Sequence, residues 1–176
     1  MTTDDTTDHA ATGQQGEESD EQRRRRAIDL AFAGDPRRFE AFRDALRAAL
    51  PPTIGVVLRG SAITGARWAD GSPFDADGPG TSDLDLALVG SDALKLWKDD
   101  AFYIPALHTR PLCDEEPDIA PPLAPLRRAL QKMAGRPVNM QGTADLVLFV
   151  RDVLFDQPYL TLLDKADAAD EGAGGR

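Results

Sequence analysis

Two short apolar runs, Ile54 to Leu58 and Leu84 to Val89, most constrain what this chain can fold into. Both read as strands, and each carries polar chemistry at one end. Asp83 and Asp85 flank Leu84 at the start of the second run. A strand has a side-chain period of two, so the two carboxylates point to one face, with Cα atoms roughly 7 Å apart. Like charges held that way repel unless a cation lies between them, and hard oxygen ligands suit Mg²⁺. Gly60-Ser61 closes the first run. There the chain can turn tightly and offer backbone N–H groups to a phosphate. The two halves together read as a metal–nucleotide site.

In order along the chain stand Val56-Val57-Leu58-Arg59-Gly60-Ser61, then Thr81-Ser82-Asp83-Leu84-Asp85-Leu86-Ala87-Leu88-Val89. This arrangement resembles the signature of the polymerase-β-type nucleotidyltransferase superfamily, in a minimal, single-domain form. The resemblance covers roughly residues 35 to 160 and implies an α/β fold, a small mixed twisted sheet packed by helices. It also implies metal-dependent transfer of a nucleotidyl group from a nucleoside triphosphate, with Mg²⁺ or Mn²⁺. Gly60 and Ser61 would then cradle the phosphates and Asp83 and Asp85 would hold the metals. One departure is plain. Asp83 lies 23 positions after Gly60, more than the minimal motif needs. The excess, Trp68 to Gly80, is rich in turn formers and reads as a loop inserted at the rim of the site.

The family uses a third acid on a later strand, and two positions compete for it. One is Asp145, in Ala144-Asp145-Leu146-Val147; the other is Asn139, in Val138-Asn139-Met140. From residue 144 on, Leu146, Val147, Val150, Val153 and Leu154 fall on one helical face, with Asp145, Arg151, Asp152 and Asp156 largely opposite. That is helical spacing, with Thr143 as N-cap. It favours Asn139 in the third place and leaves Asp145 as the runner-up, in the first turn of a helix. An amide takes no proton at ordinary pH. Such a site would lack general-base help, a term worth roughly 10²–10⁴ in rate.

Other residues bear on binding. Arg59, beside the glycine, is a candidate phosphate ligand or a surface ion pair. Arg110 is a candidate to reach a triphosphate from a neighbouring strand. Trp68 and Phe74 in the inserted loop either stack on a ligand or pin the loop. Arg23 to Arg26 read as the solvated start of a helix rather than a phosphate patch. His108 reads as a core-edge or exposed histidine, and Cys113 as inert.

Of the 176 residues, 41% are hydrophobic, enough for one domain with tails. The expected division is an acidic disordered tail at 1–20, the domain at 21–163 and a flexible C-terminal tail at 164–176. Net charge is −10. Asp4, Asp5, Asp8, Glu17, Glu18, Asp20 and Glu21 account for seven of those charges, with no Lys or Arg before Arg23. The remainder is nearly neutral, which argues against an extended nucleic-acid surface. No stretch approaches a membrane span, and one cysteine excludes a disulfide framework. A cytoplasmic protein is the simplest expectation. Two functions follow: nucleotidyl transfer to an acceptor hydroxyl on a small molecule or protein, or a weakly active nucleotide-binding regulator that neutralises a protein partner.

Overall fold

The computed structural model describes residues 18–166. The chain folds as a mixed α+β structure, a six-stranded sheet packed by helices. Its strands are β1 (Gly55–Arg59), β2 (Leu84–Val89), β3 (Phe102–Ile104), β4 (His108–Thr109), β5 (Val138–Thr143) and β6 (Leu160–Leu163). They lie in the order β3-β4-β5-β2-β1-β6. β2 runs antiparallel to β1 and parallel to β5. The helices are α1 (Asp20–Ala31), α2 (Pro36–Ala49), α3 (Ser61–Thr64), α4 (Ser91–Leu94), α5 (Ala124–Ala134) and α6 (Asp145–Phe155). None is long and apolar enough to cross a membrane among the described residues.

Alternation along the strands divides the sheet into two unlike faces. Val56, Leu58, Leu84, Leu86, Leu88, Val138 and Met140 point into the main core, against residues of α1, α2, α3 and α5. Phe32, Phe39 and Phe42 form its aromatic centre, with Phe32 edge-on to the other two at 5.4 and 5.3 Å. Such pairs add about 0.5–1.5 kcal/mol beyond area burial. The other face is thinly covered. Val57, Ala87 and Val89 meet Leu148 of α6, with Tyr159 alongside. Asp85, Asn139 and Gln141 share the parity of this second face, so the fold leaves room above their side chains.

Helix signals in the sequence have local causes. Asp35 accepts from the Arg37 amide and Pro36 opens α2. Ser19 and Gln22 form a reciprocal capping box on α1. Gly135 closes α5 in the left-handed region. Residues 1–17 and 167–176 of the expected tails lie outside the described residues. α1 begins at Asp20, inside the expected tail. At the other end the Ala166 amide donates to the Pro52 carbonyl, and Lys165 pairs with Asp145 at 2.8 Å.

Phe102 to Leu107 holds β3 and the turn of the β3–β4 hairpin, and β6 follows α6 at the sheet edge. Ala144, not Thr143, caps α6, because the Thr143 hydroxyl is occupied by His108 Nδ1 at 3.1 Å. On α6 three members of the apolar stripe, Leu146, Val153 and Leu154, are more than half exposed, as are Phe149 and Phe155 beside it, while Val147 and Val150 are half-buried. Periodicity gave the helix correctly but not its orientation. The sheet takes Leu148, and Arg151 points toward the polar half of the second face.

The inserted loop is tied to the body through Asp75. Asp75 accepts from Arg136 at 3.0 and 3.1 Å and from the Gly80 and Ser82 amides. Arg136 also lies 4.6 Å over the buried Phe74 ring, so Phe74 pins the loop. Burial pushes the Asp75 carboxyl upward, but the Arg136 pair and the two amides outweigh it and hold it at about 2. The unfolded value is about 3.9. A depressed folded pKa gives stability that is present above pH about 4 and lost as pH falls toward 2. We expect Asp75→Asn to lower Tm at pH 7 by about 4 °C or more. Thermal scans should show the gap to wild type shrinking as the pH is lowered from 5 to 2; a gap independent of pH contradicts the assignment.

Candidate active site

Three adjacent strands bring the site together by register. β1 and β2 pair Arg59 with Asp85, and β2 and β5 pair Asp85 with Asn139. Asp83 precedes β2 by one residue and keeps the parity of Asp85. The Asn139 amide Nδ2 donates to Asp83 Oδ2 and, at 3.3 Å, to Asp85 Oδ1. Asn139 therefore occupies the third place beside the two carboxylates. Asp145 does not: it starts α6 and its carboxylate is held by Lys165.

Asp85 is deeply placed. Burial, then the neighbouring charge of Asp83, raises its pKa, against the pull of Arg59 and the Asn139 hydrogen bond. A carboxylate pushed up by burial and a like charge is one that a cation would stabilise. Among the described residues no three His, Cys, Asp or Glu side chains gather to hold a metal. The donor set still fits Mg²⁺, which is often held by one or two carboxylates with the remaining positions filled by water and substrate phosphate.

Gly60 is the tightest point of the frame. Its backbone, φ 76° and ψ −157°, lies in a region open essentially to glycine. A Cβ there would lie 2.8 Å from Asp85 Oδ2. Ser61 follows as the first residue of α3, so Gly60 and not Ser61 is the N-cap.

These residues line a cleft of about 550 Å³. Its floor is Arg59, Gly60, Ser61, Asp83 and Asp85, and its walls include Trp68 of the inserted loop and Leu148, Arg151 and Tyr159 from the α6 side. Trp68 is 72% exposed, so the two loop aromatics divide: Phe74 packs inside and Trp68 faces the cleft. A smaller cleft of about 330 Å³ lies beyond Asp83 and Asn139, bounded by Asp114 and Glu115.

Arg59 makes no ion pair among the described residues. One of its terminal nitrogens donates to Gln141 Oε1. Burial, then the charge of Arg151, lowers its pKa to about 10, against the pull of Asp85. Arg151 is lowered by burial too, and its Nε donates to Gln157 Oε1 at 2.9 Å. Arg151, Gln141 and Gln157 were missed in the sequence. Arg151 had been set on the polar face of α6, but nothing local showed that this face looks into the site.

Arg110 is not brought to the cleft. Its guanidinium pairs with Glu116 and the Asp100 carbonyl. Of the Arg23–Arg26 run, Arg23, Arg24 and Arg26 are engaged by Asp20, Glu40 and Glu18. His108 is buried and its pKa falls to about 4, chiefly by desolvation and then by the charges of Arg59 and Arg151. It is neutral at pH 7. Cys113 is half-buried, and burial raises its thiol pKa.

No family model, curated protein or solved structure matches the chain.

Gly60→Ala should lower stability by about 1–3 kcal/mol through backbone strain alone. Chemical denaturation tests this. A variant as stable as wild type would mean that neither the strand end nor Asp85 constrains the position.

Proposed function

We propose that the cleft binds a nucleoside triphosphate with Mg²⁺ or Mn²⁺ and transfers its nucleotidyl group to an acceptor hydroxyl on a small molecule or a protein. The observation that carries this reading is the same-face pair Asp83 and Asp85, opening beside Gly60-Ser61 onto a cleft of about 550 Å³. The resemblance to polymerase-β-type nucleotidyltransferases points the same way. Asp83 and Asp85 would hold the cation. The chemistry supplied by a bound divalent cation is neutralisation of charge at the α-phosphate during in-line displacement. Gly60 and Ser61 would take the phosphates through backbone N–H groups and the Ser61 hydroxyl. Asn139, with its amide turned, would present Oδ1 to orient the acceptor hydroxyl, but it takes no proton. The acceptor must then carry an acidic hydroxyl or its own base. A cytoplasmic role accords with the single cysteine, Cys113.

A second reading rests on Asn139. An amide that donates to both carboxylates satisfies them as a cation would, without any charge. A protein built this way would bind nucleotide and regulate a protein partner with little turnover.

Calorimetry with Mg²⁺-nucleotide should show binding by wild type and none by Asp83→Ala/Asp85→Ala; equal affinity ends both readings. Turnover separates them. Incubation with each labelled nucleoside triphosphate, divalent metal and cell extract should yield a labelled product. Asn139→Asp should raise that yield by about tenfold or more, since it supplies the missing base. Asp145→Asn should change it little. No product from either protein leaves the regulatory reading in place.

A further inference from the structure

Among the described residues, the arginines that are buried or half-buried are mostly neutralised. Arg23, Arg24, Arg26, Arg43, Arg67, Arg110, Arg127 and Arg136, all buried or half-buried, each pair with a carboxylate. Two break the pattern. Arg59 and Arg151 are half-buried, line the same cleft and make no ion pair among the described residues. Both are held by glutamines instead: Arg59 by Gln141 and Arg151 by Gln157. The Arg59 Nε is buried without any partner.

A glutamine carbonyl orients a guanidinium as a carboxylate does, but leaves its charge intact. A cation withdrawn from water without a counter-charge is unfavourable. Two of them lining one cleft make a seat for an anion. Asp85 is the nearest compensating charge, and it is already shared with Asp83 and Asn139. The guanidinium fork matches phosphate oxygens two at a time. A chain of condensed phosphates can span two forks and supply several charges, where a single carboxylate supplies one.

We propose that Arg59 and Arg151, oriented but not neutralised by Gln141 and Gln157, form a polyphosphate seat that binds a triphosphate chain without help from a metal. In the reaction proposed above, on which the identity of the physiological ligand rests, this seat takes the triphosphate of the substrate nucleotide. It also couples the two ligands. A cation at Asp83 and Asp85 removes the negative charge that partly balances the arginines, so it strengthens the seat, and an anion in the seat strengthens cation binding.

The test uses inorganic tripolyphosphate in EDTA, measured by calorimetry on the full chain. Wild type should bind it, and raised salt should weaken binding. Arg151→Gln should weaken binding about tenfold or more, and Arg151→Lys should restore part of the loss. Gln157→Glu should weaken it similarly, because it keeps the hydrogen-bond acceptor but neutralises Arg151. Unchanged circular dichroism and Tm in these variants would exclude a folding effect. No binding by wild type, equal binding by folded Arg151→Gln, or equal competition by citrate would overturn the seat. The outcomes separate from those for the reaction. Tripolyphosphate binding that depends on Arg151, with no Mg²⁺-dependent nucleotide binding, keeps the seat and removes the transferase reading. The reverse pattern does the opposite.

Discussion

The registration of β2 between β1 and β5 is the constraint on which the rest of the site depends. It sets Arg59 against Asp85 on one side and Asn139 against Asp85 on the other. A slip of one residue in either pairing would turn every side chain of that strand to the opposite face. The register is fixed by the main core, where Leu84, Leu86 and Leu88 pack beside Val56, Leu58, Val138 and Met140. Apolar burial on one face therefore determines polar geometry on the other. Gly60 completes the frame, since only a residue without a side chain lets the end of β1 approach Asp85 so closely.

The parts of this arrangement that were legible in the sequence are those governed by local pattern. Alternation gave β1 and β2, and the period of two put Asp83 and Asp85 together. Helical spacing after residue 144 favoured Asn139 over Asp145, and the structure sets the Asn139 amide against both carboxylates while Asp145 starts α6. What the sequence withheld depends on tertiary packing. Helical spacing does not say which way α6 is turned: the sheet is met by Leu148, and Leu146, Val153 and Leu154 look outward. That rotation delivers Arg151 to the cleft. Arg110 was misplaced for a similar reason: its neighbourhood, with Glu116, comes from a loop whose path no periodicity describes. β6 is only four residues long and follows a Pro158 turn, too short a signal to separate from loop.

Charge in the cleft is arranged as two opposed pairs. Asp83 and Asp85 form one, bridged by the Asn139 amide; Arg59 and Arg151 form the other, steadied by glutamines. Each pair is internally repulsive and is stabilised by the opposite charge nearby. A ligand that brings both a cation and an anion would relieve both pairs together, which is what the proposed metal–polyphosphate complex would do. In the proposed reaction, the neutral third residue would lower the negative charge offered to a metal and shift the demand for a base onto the acceptor.

The most direct test of the proposed site is crystallography of the protein with Mn²⁺ and a non-hydrolysable nucleoside triphosphate. The account predicts an anomalous peak about 2.1 Å from carboxylate oxygens of Asp83 and Asp85, in the range of hard-cation coordination. The phosphate chain should run from that peak past Gly60-Ser61 toward Arg59 and Arg151. A nucleotide bound elsewhere, or a saturated crystal with no metal at the two aspartates, would contradict it.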